Sequence, residues 1–209
     1  EEQAPNLDTK EAMEEAEEYY LGLGELLDKT GEKIADMLGV EAALVTSGCT
    51  GALALASAAC LTGKDVEKIR RIPDITGMPH EFIVPRQLRN SYERSMTLAG
   101  GKLIIVGDPE ETRYQHIEAA IGPNTAGIFY VAPGNSPSVL PIEDVIRLGH
   151  AHNIPIVVDA AGQVYPTENL SKYAKMGADL VAYGGKYFGG FNSSGLLVGK
   201  KEMVETAKL

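Results

Sequence analysis

Short apolar runs alternate with amphipathic stretches along most of the chain, from residue 42 to its end. The runs predict strands at 42–46, 81–84, 102–106, 126–132, 154–159, 179–183 and 195–198. The stretches between them predict helices at 49–62, 90–100, 112–121, 141–152, 169–176 and over the last residues. Because the strands are continuously apolar and helices separate most of them, we expect an α/β fold with a mostly parallel central sheet flanked by helices.

The first 40 residues have a different pattern. Apolar side chains recur near helical spacing over 9–38, and Gly22 and Gly24 weaken the middle because glycine costs roughly 1 kcal/mol in a helix interior. Residues 62–80 break the alternation and predict an irregular excursion. We therefore expect an N-terminal helical segment, 1–40, packed on one large domain, 41–209.

Charge and cysteine content limit the classes of partner. The formal net charge of −10 opposes a general affinity for nucleic acid or anionic membranes, so neither tRNA nor a membrane is expected. No apolar run is long enough to span a bilayer. Cys49 and Cys60 lie 11 positions apart in one predicted helix, too far for a disulfide, which predicts a cytoplasmic protein with reduced thiols. The scattered histidines predict no metal site.

A lysine and an aspartate carry the strongest chemical signal. Lys186 lies between paired glycines in the segment 183–190, where the backbone must pass close to another group. Asp159 ends the apolar run 154–159, and open α/β sheets bind ligands at the carboxyl ends of their strands. This pair predicts a site for pyridoxal 5'-phosphate (PLP). Lys186 would hold the aldehyde as a Schiff base, and Asp159 would keep the pyridine nitrogen protonated.

A second candidate segment joins the first strand to its helix. Ser47, Gly48, Cys49 and Thr50 would present backbone N–H groups and hydroxyls at a helix N-terminus, which attracts phosphate through oriented donors and the helix dipole. The alternative is a plain N-cap with glycine in the turn. No Walker lysine follows, so this is not a nucleoside triphosphate site.

Five further residues are candidates with open alternatives. Asn135 could contact the phenolic oxygen of the cofactor or form a plain turn, and Gln163 could bond a ring substituent or lie on the surface. Arg86 and Arg89 could clamp a carboxylate or phosphate of a substrate. Asn90 could also bind substrate, or it could cap the following helix.

Four segments together resemble a known family. They are Thr46-Ser-Gly-x-x-Gly-Ala-Leu-Ala-Leu55, Arg89-Asn-x-Tyr92, Val157-Val-Asp-Ala-Ala161 and Gly184-Gly-Lys-Tyr-Phe-Gly-Gly-x-Asn-Ser-x-Gly-Leu-Leu-Val-Gly199. In this order they resemble the selenocysteine-synthase-like branch of fold-type I PLP enzymes. That branch includes seryl-tRNA selenium transferase and D-glucosaminate-6-phosphate ammonia-lyase. The resemblance covers nearly all of residues 10–209.

The resemblance implies roles and also shows departures. It implies that Lys186 carries the cofactor, Asp159 faces its ring nitrogen, residues 47–50 cradle its phosphate and residues 86–92 line the substrate side. It also implies a homodimer or higher homo-oligomer. Relatives stack a histidine or aromatic residue on the ring where this chain has Leu88, and they often carry a phosphate-binding serine before the lysine, which is missing here. They also continue into a C-terminal small domain, which we expect to be absent from this chain.

Several reactions are compatible with these residues. The leading hypothesis is a PLP-dependent lyase that releases ammonia by α,β-elimination from a hydroxylated amino acid or an amino-sugar acid. Seryl-tRNA selenium transfer and aminotransferase chemistry are alternatives, because the same lysine and aspartate serve all of them. A non-catalytic domain that keeps the fold for binding or assembly is the alternative from another class.

Overall fold

Seven strands form one sheet in the structure, a computed structural model that describes residues 7–20 and 22–209. The strands are β1 (Ala42–Thr46), β2 (Glu81–Pro85), β3 (Lys102–Val106), β4 (Thr125–Val131), β5 (Ile156–Asp159), β6 (Leu180–Gly184) and β7 (Gly195–Gly199). Their order is β1-β7-β6-β5-β4-β2-β3. Only β7 runs against its neighbours within this sheet, so the predicted mostly parallel sheet is confirmed.

Two helices precede the first strand, five lie between strands and one follows the last strand, among the described residues. They are α1 (Leu7–Glu17), α2 (Leu23–Leu38), α3 (Gly48–Thr62), α4 (Val66–Arg71), α5 (Tyr114–Glu118), α6 (Ile142–Ala151), α7 (Asn169–Lys175) and α8 (Lys201–Ala207). Short 3-10 helices lie at Arg86–Leu88, Glu93–Thr97 and Gly185–Phe188. No helix among residues 7–20 and 22–209 is long and apolar enough to cross a membrane.

Both faces of the sheet are covered, as continuous apolar strands require. Alternate strand residues point to opposite faces, so neighbouring residues such as Val157 and Val158 enter different cores. One core packs the sheet against α2, α5, α6 and α7, and the other packs it against α3 and α8. Each fully buried side chain of this kind stabilises the fold by roughly 1.5–3 kcal/mol. The central strands are therefore rigid supports for whatever follows their carboxyl ends.

The N-terminal helices differ in how they contact the sheet. Helix α2 buries Gly31 and Ala35 beside β1, and a Cβ atom at Gly31 would overlap the carbonyl oxygen of Ala43. Helix α1 has no buried residue. The proposed division into a 1–40 segment and a 41–209 domain stays a prediction, and residues 1–6 and 21 of that segment lie outside the described residues.

Three local predictions are wrong, each for a tertiary or capping reason. The helix predicted at 90–100 is only a 3-10 helix at Glu93–Thr97, because the carbonyl of Met96 accepts a hydrogen bond from Ser57 Oγ at 2.7 Å instead of continuing an α-helix. The helix predicted at 112–121 begins only at Tyr114, because Thr112 forms a parallel bridge with another loop. The irregular excursion contains α4, which the side chain of Asp65 caps.

The start of β7 packs directly on the turn between β1 and α3. A Cβ atom at Gly195 would overlap the carbonyl carbon of Gly48 and would lie 2.8 Å from the backbone nitrogen of Cys49. Backbone therefore contacts backbone at this point, and only glycine fits there. The contact joins the segment after Lys186 to the N-terminus of α3.

We expect Gly195→Ala to destabilise the protein by about 1–3 kcal/mol, the usual cost of overpacking. The matched control is Gly122→Ala, because a Cβ atom at Gly122 would have no neighbour within 4 Å and should change stability little. Urea unfolding measures both variants. Equal stability of the two variants would contradict the packing argument.

Candidate active site

A cavity of about 250 Å³, here called the Lys186 cavity, lies at the carboxyl ends of β1, β5 and β6. Parallel strands end at the same edge of a sheet, so the residues that follow them meet there. The structure brings together six residues predicted from the sequence. They are Ser47, Gly48, Cys49, Thr50, Asp159 and Lys186. Leu53, Tyr92, Ala161, Gly184, Tyr187 and Asn192 complete the lining.

Lys186 lies in the 3-10 helix that follows β6 directly. Gly185 packs on Ser194, and the Gly185 N–H donates to the Ser194 carbonyl at 2.8 Å. This bond holds the start of the 3-10 helix against the beginning of β7. Gly189 ends the helix in the left-handed conformation with φ of 89°. The Lys186 Nζ lies 5.2 Å from the centroid of the Tyr187 ring, so the half-buried amine is held at the cavity wall.

Asp159 is the last residue of β5, and it is 5% exposed. Its Oδ1 accepts a hydrogen bond from Ala161 N–H at 3.1 Å and lies 3.7 Å from Cys49 Sγ. Burial disfavours the charged carboxylate and raises the pKa of Asp159, and the bonds from Ala161, Cys49 and Asn90 oppose that rise. The carboxylate is therefore a buried acceptor without a cation bonded to it among the described residues.

The N-terminal turn of α3 lines the same cavity. Ser47 is the N-cap residue, but its side chain makes no capping hydrogen bond, so the plain N-cap alternative does not describe this turn. Gly48 adopts φ of 89°, and a Cβ atom there would have open space around it. Unoccupied donors and the positive end of a 15-residue helix are the features that bind phosphate.

The three predicted substrate residues have partners within the protein. Arg86 Nε donates to the carbonyl of Gly107 at 3.1 Å, and Arg89 Nε donates to Glu93 at 3.0 Å. Asn90 Oδ1 accepts from the backbone N–H groups of Tyr92 and Glu93, as the capping alternative predicted. Their roles toward a substrate stay predictions.

Three other predicted positions lie outside the Lys186 cavity lining. Asn135 lines a separate cavity of about 220 Å³ together with Tyr130 and Tyr173. Gln163 is half-buried in the turn after β5. Leu88, at the position where relatives stack an aromatic ring, packs against the hydrophobic core.

Two aromatic residues line the cavity without having been singled out as site residues. Tyr92 ends the Arg-Asn-x-Tyr segment, and Tyr187 follows the lysine directly. The signal for Tyr92 was present in that motif, within the segment 86–92 that the resemblance assigns to the substrate side. Tyr187 looked like one more residue of a glycine-rich segment.

Comparison with known proteins identifies the family. The sequence model of the family described as L-seryl-tRNA selenium transferase, SelA, matches residues 21–209. The chain belongs to the SelA family. The SelA family consists of PLP-dependent enzymes, and the relatives of this chain include lyases and transferases. The family match confirms the resemblance seen in the four segments.

Curated relatives of this SelA-family chain have different activities in their names. A 5'-C-glycyluridine monooxygenase-decarboxylase from Streptomyces sp is 29% identical over 94% of this chain and 50% of the relative. A D-glucosaminate-6-phosphate ammonia lyase from Salmonella typhimurium is 30% identical over 95% of this chain and 54% of the relative. An L-seryl-tRNA(Sec) selenium transferase from Aquifex aeolicus is 28% identical over 91% of this chain and 44% of the relative.

A solved structure of a D-glucosaminate-6-phosphate ammonia-lyase superposes on the SelA-family chain with a TM-score of 0.90 and 28% identity. It covers 99% of this chain, which in turn covers 56% of that structure. The chain thus spans about half the length of the relatives it matches. The matched part of this chain contains the seven-stranded sheet and the Lys186 cavity.

We expect Asp159→Asn to stabilise the cofactor-free protein at pH 7 by about 0.5–2 kcal/mol, the range of single stabilising substitutions. The neutral amide removes the cost of burying a charge, which is also the reason that the pKa of Asp159 is raised. A raised pKa means that the folded state binds the proton more tightly. The gain should therefore shrink as the pH falls below the folded pKa, toward about 3.9 for an unfolded aspartate. Urea unfolding at several pH values measures it.

Asp179→Asn is the contrasting variant. The equally buried Asp179 accepts hydrogen bonds from Ile156 N–H at 2.7 Å and lies 2.6 Å from Lys200 Nζ, so its charge is compensated. Its loss should destabilise the protein by about 1.5–3 kcal/mol. Changes of the same sign in the two variants would contradict the argument that Asp159 lacks compensation.

Proposed function

We propose that the chain binds PLP in the Lys186 cavity and catalyses a lyase reaction that releases ammonia from a hydroxylated amino acid or an amino-sugar acid. One observation carries the proposal: an amine, a buried carboxylate and an open helix N-terminus line one cavity. These are the three groups that the aldehyde, the ring nitrogen and the phosphate of PLP require. The ammonia lyase of Salmonella, 30% identical to this chain, supports the reaction class.

Each group has a role that its surroundings support. Lys186 would attach the cofactor through Nζ and then remove the α-proton of the substrate and return it. Asp159 would accept the ring N–H in its ionised form, which the hydrogen bonds from Ala161 and Cys49 favour. The first N–H groups of α3 would bind the phosphate. Bound PLP supplies an electron sink for the charge left at the α-carbon.

The overall reaction balances without an oxidant or reductant. The Cα–H bond and the β-carbon–oxygen bond break, and the β-hydroxyl leaves as water. The resulting enamine takes a proton at the β-carbon and is hydrolysed, so a 2-keto acid and ammonia are the products. The water released in elimination equals the water consumed in hydrolysis.

A second candidate function is selenium transfer on a seryl-tRNA. The match to the family model and the similarity to the Aquifex aeolicus enzyme favour it. The net charge of −10 opposes binding to tRNA, since phosphate contacts dominate such affinity. Aminotransferase chemistry has weaker support, because the similar aspartate aminotransferase structure, at 18% identity, shows the fold alone.

We expect the protein to gain visible absorbance when PLP is added, and to retain a pyridoxyl group on the Lys186 peptide after borohydride reduction. Lys186→Ala should lose both signals and the release of ammonia. Lys172→Ala is the matched control, because its Nζ also lies over a tyrosine ring, at 5.4 Å, but it does not line the cavity. Mass spectrometry locates the adduct.

The activity assay uses hydroxylated amino acids and phosphorylated amino-sugar acids as substrates, with ammonia and keto acid measured together. Equal amounts of the two products support elimination. A wild-type protein that takes up PLP but forms neither product contradicts the lyase reaction. A wild-type protein that takes up no PLP contradicts the cofactor assignment and favours a non-catalytic binding domain.

We also propose that the chain forms a homodimer or higher homo-oligomer through an apolar groove of about 270 Å³ near the cavity. Met37, 74% exposed, and Phe188 line the groove, and Phe188 lies two positions after Lys186. Apolar surface of this kind is typical of interfaces. The oligomer interface would therefore include the segment that carries Lys186.

Met37→Lys should raise the dimer dissociation constant about tenfold or more, which corresponds to about 1.4 kcal/mol, because it places a charge in the groove. Val66→Lys, at an exposed position of α4 outside the groove, is the control. Sedimentation equilibrium measures both. A wild-type protein that stays monomeric at high concentration would refute the proposal.

A further inference from the structure

Cys49 belongs to the N-terminal turn of α3 and contacts Asp159, two groups that line the Lys186 cavity. Its backbone N–H lies in the first turn of α3, beside the open donors at the helix N-terminus. Its Sγ lies 3.7 Å from Asp159 Oδ1. Cys49 therefore links the N-terminal turn of α3 to the Asp159 carboxylate.

The position of Cys49 is fixed by its neighbours rather than by its own side chain. Gly195 packs so closely on this turn that a Cβ atom would lie 2.8 Å from the Cys49 nitrogen. Helix α3 behind it is buried on the sheet through small residues such as Ala52 and Ala56. The thiol is therefore presented to Asp159 from a rigid backbone.

The thiol can act only as a donor to this carboxylate. Burial raises the pKa of Cys49, and the negative charge of Asp159 and the hydrogen bond to it raise the pKa further. The S–H proton is therefore retained at neutral pH. The N–H of Ala161 reaches the same oxygen, Oδ1, so neither donor competes for Oδ2.

We propose that Cys49 is a positioning residue for PLP: its thiol holds the carboxylate of Asp159 in its ionised form, with Oδ2 available to the ring N–H. This inference rests on the proposed function. It assigns to Cys49 a role through its side chain, beyond the backbone contact with phosphate that the sequence predicts. The other titratable groups that face the carboxylate across the cavity are Lys186, Tyr92 and Tyr187, and Asn90 adds a neutral hydrogen bond.

The test compares PLP affinity in Cys49→Ala, Cys49→Ser and the control Cys60→Ala. Cys60 lies in the same helix but does not line the cavity. Cys49→Ala should weaken PLP binding at neutral pH about threefold to tenfold, the usual net effect of losing one hydrogen bond. Cys49→Ser should recover part of this affinity because it keeps a donor. Cys60→Ala should bind PLP as the wild type does.

The pH dependence gives a readout that a merely structural role would not change. Removing the thiol removes a bond that lowers the pKa of Asp159, so this carboxylate should take up its proton at a higher pH. The loss of PLP affinity on acidification should therefore begin at a higher pH in Cys49→Ala than in Cys60→Ala. Titrations followed by visible absorbance across the acid and neutral range measure this shift.

A double variant separates the possible outcomes. In an Asp159→Asn background, Cys49→Ala should weaken PLP binding no further, because the thiol acts through the carboxylate. An undiminished effect of Cys49→Ala in that background overturns the inference, as does an affinity equal to that of Cys60→Ala. A wild-type protein that binds no PLP overturns the proposed function as well, and so differs from a failure of the inference alone.

Discussion

The contact between Gly195 and the Gly48–Cys49 backbone is the constraint on which the site depends. Strand β7 runs against β1 and β6 and lies between them, so the chain leaves β6, passes Lys186 and returns onto the turn that begins α3. Because no side chain separates the two backbones, the lysine segment and the helix N-terminus have a fixed separation. A single short strand thus joins groups that are more than 130 positions apart in the sequence.

Two buried aspartates, Asp179 and Asp159, differ in whether a neighbouring cation compensates the charge of the carboxylate. Asp179 is bonded to Lys200 and to the backbone of β5, so its charge contributes to stability. Asp159 lies one strand away and is equally buried, and its hydrogen-bond donors among the described residues are all neutral. An anion kept in this state gains most from a cationic ligand, because the desolvation cost is present before binding.

The sheet and half of the candidate site could be predicted because apolar runs followed by glycine, serine or aspartate mark strand ends at a binding edge. Contacts between segments that are distant in the sequence could not be predicted, because no residue pattern indicates them. Arg89 forms an ion pair with Glu93, only four positions away, and Ser57 binds the Met96 carbonyl from a distant helix; neither contact has a signal in the sequence pattern. Asn135 follows a strand as a site residue would, yet its loop lines another cavity.

The register between β5 and β6, which the hydrophobic core fixes, determines on which side of the sheet the Asp159 carboxylate lies. Asp159 pairs with Ala182, four positions before Lys186. Since side chains alternate between faces, a slip by one residue would move the carboxylate to the opposite side of the sheet. The valines that bury β5 therefore do more than hold the strands together. A packing change deep in the interior can therefore move the carboxylate out of the Lys186 cavity while every residue of the candidate site remains in the sequence.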